Sequence, residues 1–408
     1  MLRSMFTAIS ALNANQAFLD VVADNLANAN TPGFKASKVL FQDQFSQLLS
    51  PGSAPTNELG GINPTQIGLG IKIGYITPIF SQGMLQATGR NSDLALQGDG
   101  FFIYRKGGEL FYSREASLHI DAQGYLVNSS TGQRIQGWQN PIGSQGPINT
   151  NNPIGDLSVP LDLTLAKATS SMIIGGNLSS DLAIGDSYPV TLGVYDSLGQ
   201  SHSLTLTFTR TGDNTWSWQV SSPATAQGNG TLTFDTNGNV INSQVLTNIR
   251  IPGTNGAADV VITNLDMSQV TMLATDSSIA VTSQDGLAAG NVTDVSIEPN
   301  SGRIHVLFSN GLKQLIGQLA IAKFTNPSGL IRDGQNLYRA GLNSGEPNIG
   351  TAGSGGRGVI ASGYLEASNV DMATEFTNLI IAQRGFQASS RLITASDEIL
   401  AELVNLKR

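Results

Sequence analysis

Three histidines, a scattering of aspartates and one glycine-rich run are the residues in this chain whose types could do chemistry. His119, His202 and His305 stand far apart, each in strand-like sequence. A zinc site needs three or four ligands at close spacing, and no pair of these has it. There is no cysteine in 408 residues, which removes disulfides, thiolate metal sites and thiol nucleophiles together. An extracellular structural protein that must not cross-link by accident has this composition. The run Gly353-Ser354-Gly355-Gly356-Arg357-Gly358 formally satisfies G-x-G-x-x-G, but no apolar strand precedes it and no βαβ unit surrounds it, so it reads as a flexible loop. No G-x-x-x-x-G-K-[ST] and no G-x-S-x-G occurs. Asp235-Thr236-Asn237-Gly238-Asn239 starts like a calcium loop, but Val240 stands where the sharp-turn glycine belongs and Leu246 where the bidentate glutamate belongs; it reads as a hairpin turn. Asp93 and Asp99 are two carboxylates of the kind a glycosidase uses, yet nothing in their spacing recommends them. The expectation is no enzyme: no catalytic residue, no metal and no cofactor.

What must be positioned is therefore surface, not a reactive group. The charged fraction is 13%, about half the usual share, and Gly numbers 46. Such a chain is turn-rich, with a coat of Asn, Gln, Ser and Thr that can pack many copies together without strong like-charge repulsion; composition alone is equally compatible with a soluble β protein in a polar coat. The net charge of −8 argues against a nucleic-acid partner, which needs clustered Lys and Arg. No stretch reaches the eighteen or so apolar residues of a membrane span. The first residues lack the apolar core of a cleaved signal peptide.

The interior is β in pattern. Ile71 and Ile73 alternate with other residues, and Phe101-Phe102-Ile103-Tyr104 follows a Gly98-Asp99-Gly100 turn. Val190/Leu192/Val194, Leu204/Leu206/Phe208, Trp216/Trp218/Val220 and Leu232/Phe234 alternate, with Thr on the outer face, as in a half-buried antiparallel sheet. From about residue 286 the first pattern resumes in Val295/Ile297 and Ile304/Val306/Phe308. The reading is a multi-domain, mainly β protein with nested β domains: an inner β domain of 73–149 plus 286–363, an outer one of 150–285, and an irregular extended linker arm over 31–72.

Both ends are helical. Ser4 to Ala29 reads as one helix, and near the start Leu2, Ile9, Gln16 and Ala23 form one seam and Met5, Leu12, Leu19 and Leu26 the next. Near the other end Met372, Leu379, Phe386, Ile393 and Leu400 repeat every seven residues, with Phe376, Gln383, Ser390, Asp397 and Val404 interleaved. The second helix is expected to begin near Ser368, where Ser368-Asn369-Val370-Asp371 has capping-box spacing. Heptad stripes want partner helices. The simplest partners are each other, in a coiled-coil inner domain of 1–30 plus 364–408, and then the same pair in neighbouring copies. Met5, Ile9, Leu12, Leu19, Leu26, Met372, Phe376, Leu379, Phe386, Ile393, Leu400 and Val404 are the candidate polymerisation residues.

Three segments, in order, resemble motifs of the flagellar rod–hook family of bacterial axial proteins. The first is Asp24-Asn25-Leu26-Ala27-Asn28-Ala29-Asn30-Thr31-Pro32-Gly33-Phe34-Lys35. The second is Ser92-Asp93-Leu94-Ala95-Leu96-Gln97-Gly98-Asp99-Gly100-Phe101-Phe102. The third is Leu365-Glu366-Ala367-Ser368-Asn369-Val370-Asp371, followed by Ile381-Ala382-Gln383-Arg384. Within that family Val194–Leu204 resembles the outer β domain of hook members; rod members are shorter and lack it. Ala116 and Leu118 stand where the family usually has Gly and Phe. The resemblance implies a nested subunit that polymerises into a curved, hollow tube, a universal joint between rotary motor and filament. It implies partners as well: the chain itself, the distal rod protein, the hook cap protein, the hook–filament junction protein and the flagellar type III export apparatus. It implies an extracellular location in the hook, reached without a cleaved signal. Two rivals are a distal rod protein of the same family and a secreted β-rich adhesin or enzyme.

Overall fold

The computed structural model describes residues 2–55, 60–144, 146–223, 226, 228–242, 244–245 and 249–406; side chains at 2, 244–245 and 403–406 are not described. The chain is mainly β, with one long helix at each end: α1, Leu2–Ala27, and α2, Met372–Leu406. It divides into two units, the first comprising Met1–Val159, Ile297–Ile304 and Ile316–Arg408, the second Pro160–Ser296 and His305–Leu315. These limits differ from those drawn on composition, because apolar alternation runs on through both boundaries without a break.

In the first unit, strand Phe101–Lys106 turns at Gly107 and Gly108 into Glu109–Ser113, with Lys106 opposite Glu109. Both glycines have positive φ (59° and 95°), the type I′ geometry that matches strand twist. Phe101, Tyr112, Trp138, Phe324 and Tyr338 share one core. Tyr112 and Phe324 meet edge to face at 4.7 Å, the favoured geometry for aromatic pairs. Ala116 and Leu118 are both fully buried in strand Ala116–Ile120.

The stretch 31–72 holds strands where irregular chain was expected. Ser37–Asp43 pairs antiparallel with Ile71–Pro78, and Ser46–Ser50 with Thr65–Gly68. Pro and Gly between the paired strands hid the alternation. The second of these hairpins is exposed on both strands.

The second unit is a sandwich of two four-stranded sheets. One is a meander of Ser187–Tyr195, Ser201–Gly212, Thr215–Ser222 and Asn229–Thr233. In the other, Ser171–Ser179 pairs parallel with Asn264–Leu273 and antiparallel with Ser278–Gln284. Side chains of both sheets, including Met172, Ile174, Phe208, Trp216, Trp218 and Met267, make one core. The Thr face turns outward, where Thr191 and Thr205 hydroxyls meet at 3.2 Å. The parallel pair was not legible, because parallel and antiparallel strands carry the same alternation when one face is buried.

One turn recurs in three places. At Asp121, Asp196 and Asp235 the carboxylate Oδ1 accepts the N–H groups two and four residues on, at 2.7–2.9 Å. The third residue on is glycine each time. Gly199 (φ 83°) is needed twice over, since a Cβ there would lie 2.4 Å from the Ala289 nitrogen. The calcium-like segment at Asp235 is thus a hairpin turn whose carboxylate is already used.

Candidate functional site: helix seam and motif junction

The two terminal helices pack on each other. The fully buried positions on the two helices are mostly small or polar. Ala8, Ala14, Val22 and Asn25 are buried on α1, and Ala382 and Ser389 on α2. Gly385 faces Asn15 so closely that a Cβ would come within 2.8 Å of its Oδ1. Leu379, Phe386, Ile393 and Leu400 line this seam half-buried, as do Met5, Leu12, Leu19 and Leu26 on α1. Met372, Phe376 and Ile9 are exposed, Phe376 at 52%, so these three do not join the contact within the chain. The side chain of Val404 lies outside the described residues. The interleaved row on α2 is Glu375, Ala382, Ser389 and Ser396, not Phe376, Gln383, Ser390 and Asp397. Its seven-residue spacing was visible in the sequence, but a search for large apolar residues passes over it.

The start of α2 also differs from the expectation. Asp371, not Ser368, is the cap: its Oδ1 accepts the Ala373 N–H at 3.0 Å and its Oδ2 the Thr374 hydroxyl at 2.7 Å. The Thr374 hydroxyl and these backbone donors hold the Asp371 carboxyl below its ordinary range. α1 ends at Ala27, where Asn28 folds back to the Asp24 carbonyl at 2.9 Å.

The three sequence motifs converge on one buried junction. Lys35 from the first motif and Glu366 from the third form an ion pair at 2.6 Å, both side chains at 0% exposure. Lys35 Nζ also donates to the Ser81 carbonyl, and Glu366 Oε1 accepts the Gly83 N–H at 2.8 Å. Arg114 lies 3.7 Å from Glu366 Oε2 and donates to the carbonyl of Gly98, in the second motif, at 2.8 Å. Its guanidinium also lies 5.3 Å from the centre of the Phe101 ring. Burial pulls the Lys35 ammonium below its ordinary value, against the attraction and hydrogen bond of Glu366. Burial lowers Arg114 as well, against Glu366 and Asp99. Two cations therefore share one carboxylate in the dry interior.

The other motif residues brace this centre. Asn25 is fully buried; its amide donates to the Ser37 carbonyl and to Glu375 Oε1, and its Oδ1 accepts the Ser37 N–H. Asn369 does the same on the other side, taking the Ala36 N–H at 2.8 Å and donating to Ile79 and Ser81. Gly33 donates to the Glu366 carbonyl, Thr31 to Asn28 Oδ1, and Pro32 accepts from Asn336. Asp93 is buried and accepts the Ser117 hydroxyl, whereas Asp99 pairs with Lys323. The two carboxylates thus have separate structural partners. Gly98 and Gly100 both have positive φ, and Phe101 and Phe102 enter the core. Asn30, Gln383 and Arg384 stand exposed and do not join the junction. Arg114 and Gly83 were missed as site residues: Arg114 marks only the segment Tyr112-Ser113-Arg114 ahead of Ala116, and neither lies in the three motifs.

In the second unit Val194–Leu204 forms the Asp196 turn. Burial pushes the Asp196 carboxyl up, but the His202 ring at 2.8 Å and two backbone N–H groups outweigh it and leave it below its ordinary value. His119 lies 3.3 Å from the Ser129 hydroxyl, and no group of potential metal ligands occurs among the described residues. The Gly353–Gly358 loop is organised rather than free. Arg357 within it binds the Thr351 carbonyl, Asn348 Oδ1 and Ser354 Oγ, all near 3.0 Å.

Four family models match the chain in order. They are "Flagella basal body rod protein" over 5–35, "Flagellar hook protein FlgE/F/G D1 domain" over 95–177, "Flagellar basal body protein FlaE D2 domain" over 182–287, and "Flagellar basal body rod FlgEFG protein C-terminal" over 361–406. The flagellar hook protein FlgE of Borreliella burgdorferi is 36% identical, and that of Treponema pallidum 35%, each with all of both chains covered. A flagellar basal-body rod protein, FlgG of Bacillus subtilis, is 31% identical and is also covered in full, as is this chain. Length, used above to set rod members apart, therefore does not separate them.

Proposed function

The chain belongs to the flagellar hook protein family and is a structural subunit of the bacterial flagellar hook, and from that premise we propose how its parts build the polymer. α1 and α2 together form the wall of an inner tube. Beside their mutual seam, further large apolar residues face out: Phe6, Phe376, Ile380, Ile381, Leu392 and Ile399 are each about half exposed or more. These outward apolar residues, on both flanks of the α2 seam, are the observation that carries the reading. Neighbouring copies cover it, at roughly 25 cal/mol for each Å² removed from water. The exposed hairpin Ser46–Ser50/Thr65–Gly68, with Phe45, Leu48, Leu49 and Ile67 in the open, packs on a neighbour too, since an isolated two-stranded hairpin is marginal in water.

The second unit forms an outer layer. Its Thr-rich, sparsely charged face slides against neighbours without breaking strong directional bonds, so the tube bends while the helices carry torsion. The assembled tube is curved and hollow, and acts as a universal joint that passes torque from rod to filament. Its end partners are the distal rod protein, the hook cap protein and the hook–filament junction protein. The subunit reaches the outside through the type III export apparatus, and has no catalytic role and no cofactor.

Leu392→Asp and Ile381→Asp test this. Both sites are exposed in the single chain, so circular dichroism should match wild type while negative-stain images show no tubes. Wild-type yields of tubes from both variants would overturn the helix-packing role.

A further inference from the structure

The sequence contains four Asn-Gly pairs, at 229, 237, 255 and 310. This dipeptide is where a backbone nitrogen can attack a side-chain amide, provided that the glycine N–H is free and the segment has room to turn. Three of the pairs are held. Asn229 and Gly230 lie in a strand ladder opposite Gln219 and Trp218. Gly238 N–H is bound to the Asp235 carbonyl, and a Cβ there would lie 2.4 Å from the Met272 carbonyl oxygen. Gly311 N–H is bound to the Phe308 carbonyl, and the Asn310 amide donates to two further carbonyls at 2.7 and 2.9 Å.

Asn255-Gly256 is different. It forms the exposed tip of the hairpin Ile249–Ile251/Val260–Ile262, with positive φ at both residues. Among the described residues neither the Asn255 amide nor the Gly256 N–H has a hydrogen-bond partner. A Cβ built on Gly256 meets nothing within 4 Å.

We propose that Asn255 is a site of spontaneous deamidation in the folded subunit. The Gly256 nitrogen attacks Asn255 Cγ; the N–Cγ bond forms, the Cγ–Nδ2 bond breaks, and ammonia leaves with the proton of the Gly256 amide. Solvent water then opens the cyclic imide at either carbonyl, giving aspartate or the β-linked isoaspartate. No oxidant or enzyme is required. The product places a new negative charge on the hairpin that carries the Arg250–Asp259 ion pair.

Peptide mapping by mass spectrometry, after incubation of the full chain at mildly alkaline pH with and without urea, tests this. In the folded chain Asn255 should convert at close to its urea rate, while Asn237 and Asn310 convert several-fold more slowly than in urea. Gly256→Ala should slow conversion at 255 several-fold and leave the other three sites unchanged. Folded-state protection of Asn255 equal to that of Asn237 and Asn310, or an unchanged rate at 255 in Gly256→Ala, would overturn the proposal. The outcome does not depend on whether tubes form.

Discussion

Replacing Glu366 with Gln should show how much of the first unit hangs on one carboxylate. The substitution keeps an oxygen for the Gly83 N–H and for Lys35, and removes only the charge. Lys35 and Arg114, at 0% and 3% exposure, are then left as uncompensated buried cations. Stripping one partner from a buried pair costs about 3–5 kcal/mol. An independent ceiling comes from proton linkage. Lys35 can escape by folding neutral, and at pH 7 that means titrating it roughly 3.5 pH units below the ordinary value of 10.5, or about 5 kcal/mol. The two figures agree. In the variant the unfolded chain binds one more proton than the folded one across this range, so stability must rise with pH. By pH 9 the Lys35 share of the loss should shrink to about 2 kcal/mol. Arg114 cannot follow and keeps a residual cost.

Hydrogen-exchange mass spectrometry at pH 7 and 9 resolves the effect to strands Asp93–Gln97 and Phe101–Lys106, with the second unit as internal reference. The double variant Lys35→Met/Glu366→Gln should recover more than half of the loss at pH 7. A single-variant loss below about 1 kcal/mol, a loss that does not change with pH, or a double variant no better than the single would refute the view that charge, and not shape, organises the junction.

Ala382→Leu forces extra methylenes into a fully buried position on α2 and should cost about 1–3 kcal/mol in protection of α1 and α2, while Gln383→Leu beside it should be near neutral. Gly199→Ala and Gly256→Ala both meet a left-handed backbone, but only the first also meets the Ala289 nitrogen, so it should lower the second unit's urea midpoint clearly more. Asp196 is held below its ordinary 3.8, so the stability it contributes is present above that value and disappears as pH falls through the lowered one. Asp196→Asn should therefore flatten the acid limb of the second unit's unfolding, followed through Trp216 and Trp218 fluorescence.

Much of the architecture was legible because burial writes a period into sequence. The seven-residue rows at both ends and the two-residue rows of Leu204–Phe208 and Trp216–Val220 all mark elements that exist. What escaped has a physical reason in each case. The fully buried helix positions Ala8, Ala14, Ala382 and Ser389 are too small to leave a hydropathy signal. The strands within 31–72 are short and interrupted by Pro and Gly. The junction depends on Lys35, Arg114 and Glu366, which are separated by scores of residues and brought together only by the fold. Asn25, Asn369 and Glu366 could be picked out as motif members, but their partners could not be read from spacing.

The large apolar side chains left in the open on both helices have a consequence for growth. A solitary subunit packs its two rods on each other and still keeps Phe6, Phe376, Ile381 and Leu392 on the outside. Starting a new tube thus means ordering rods that have little to lean on, whereas arriving at an existing end offers ready-made grooves. Such a monomer should elongate what is already there far more readily than it founds something new.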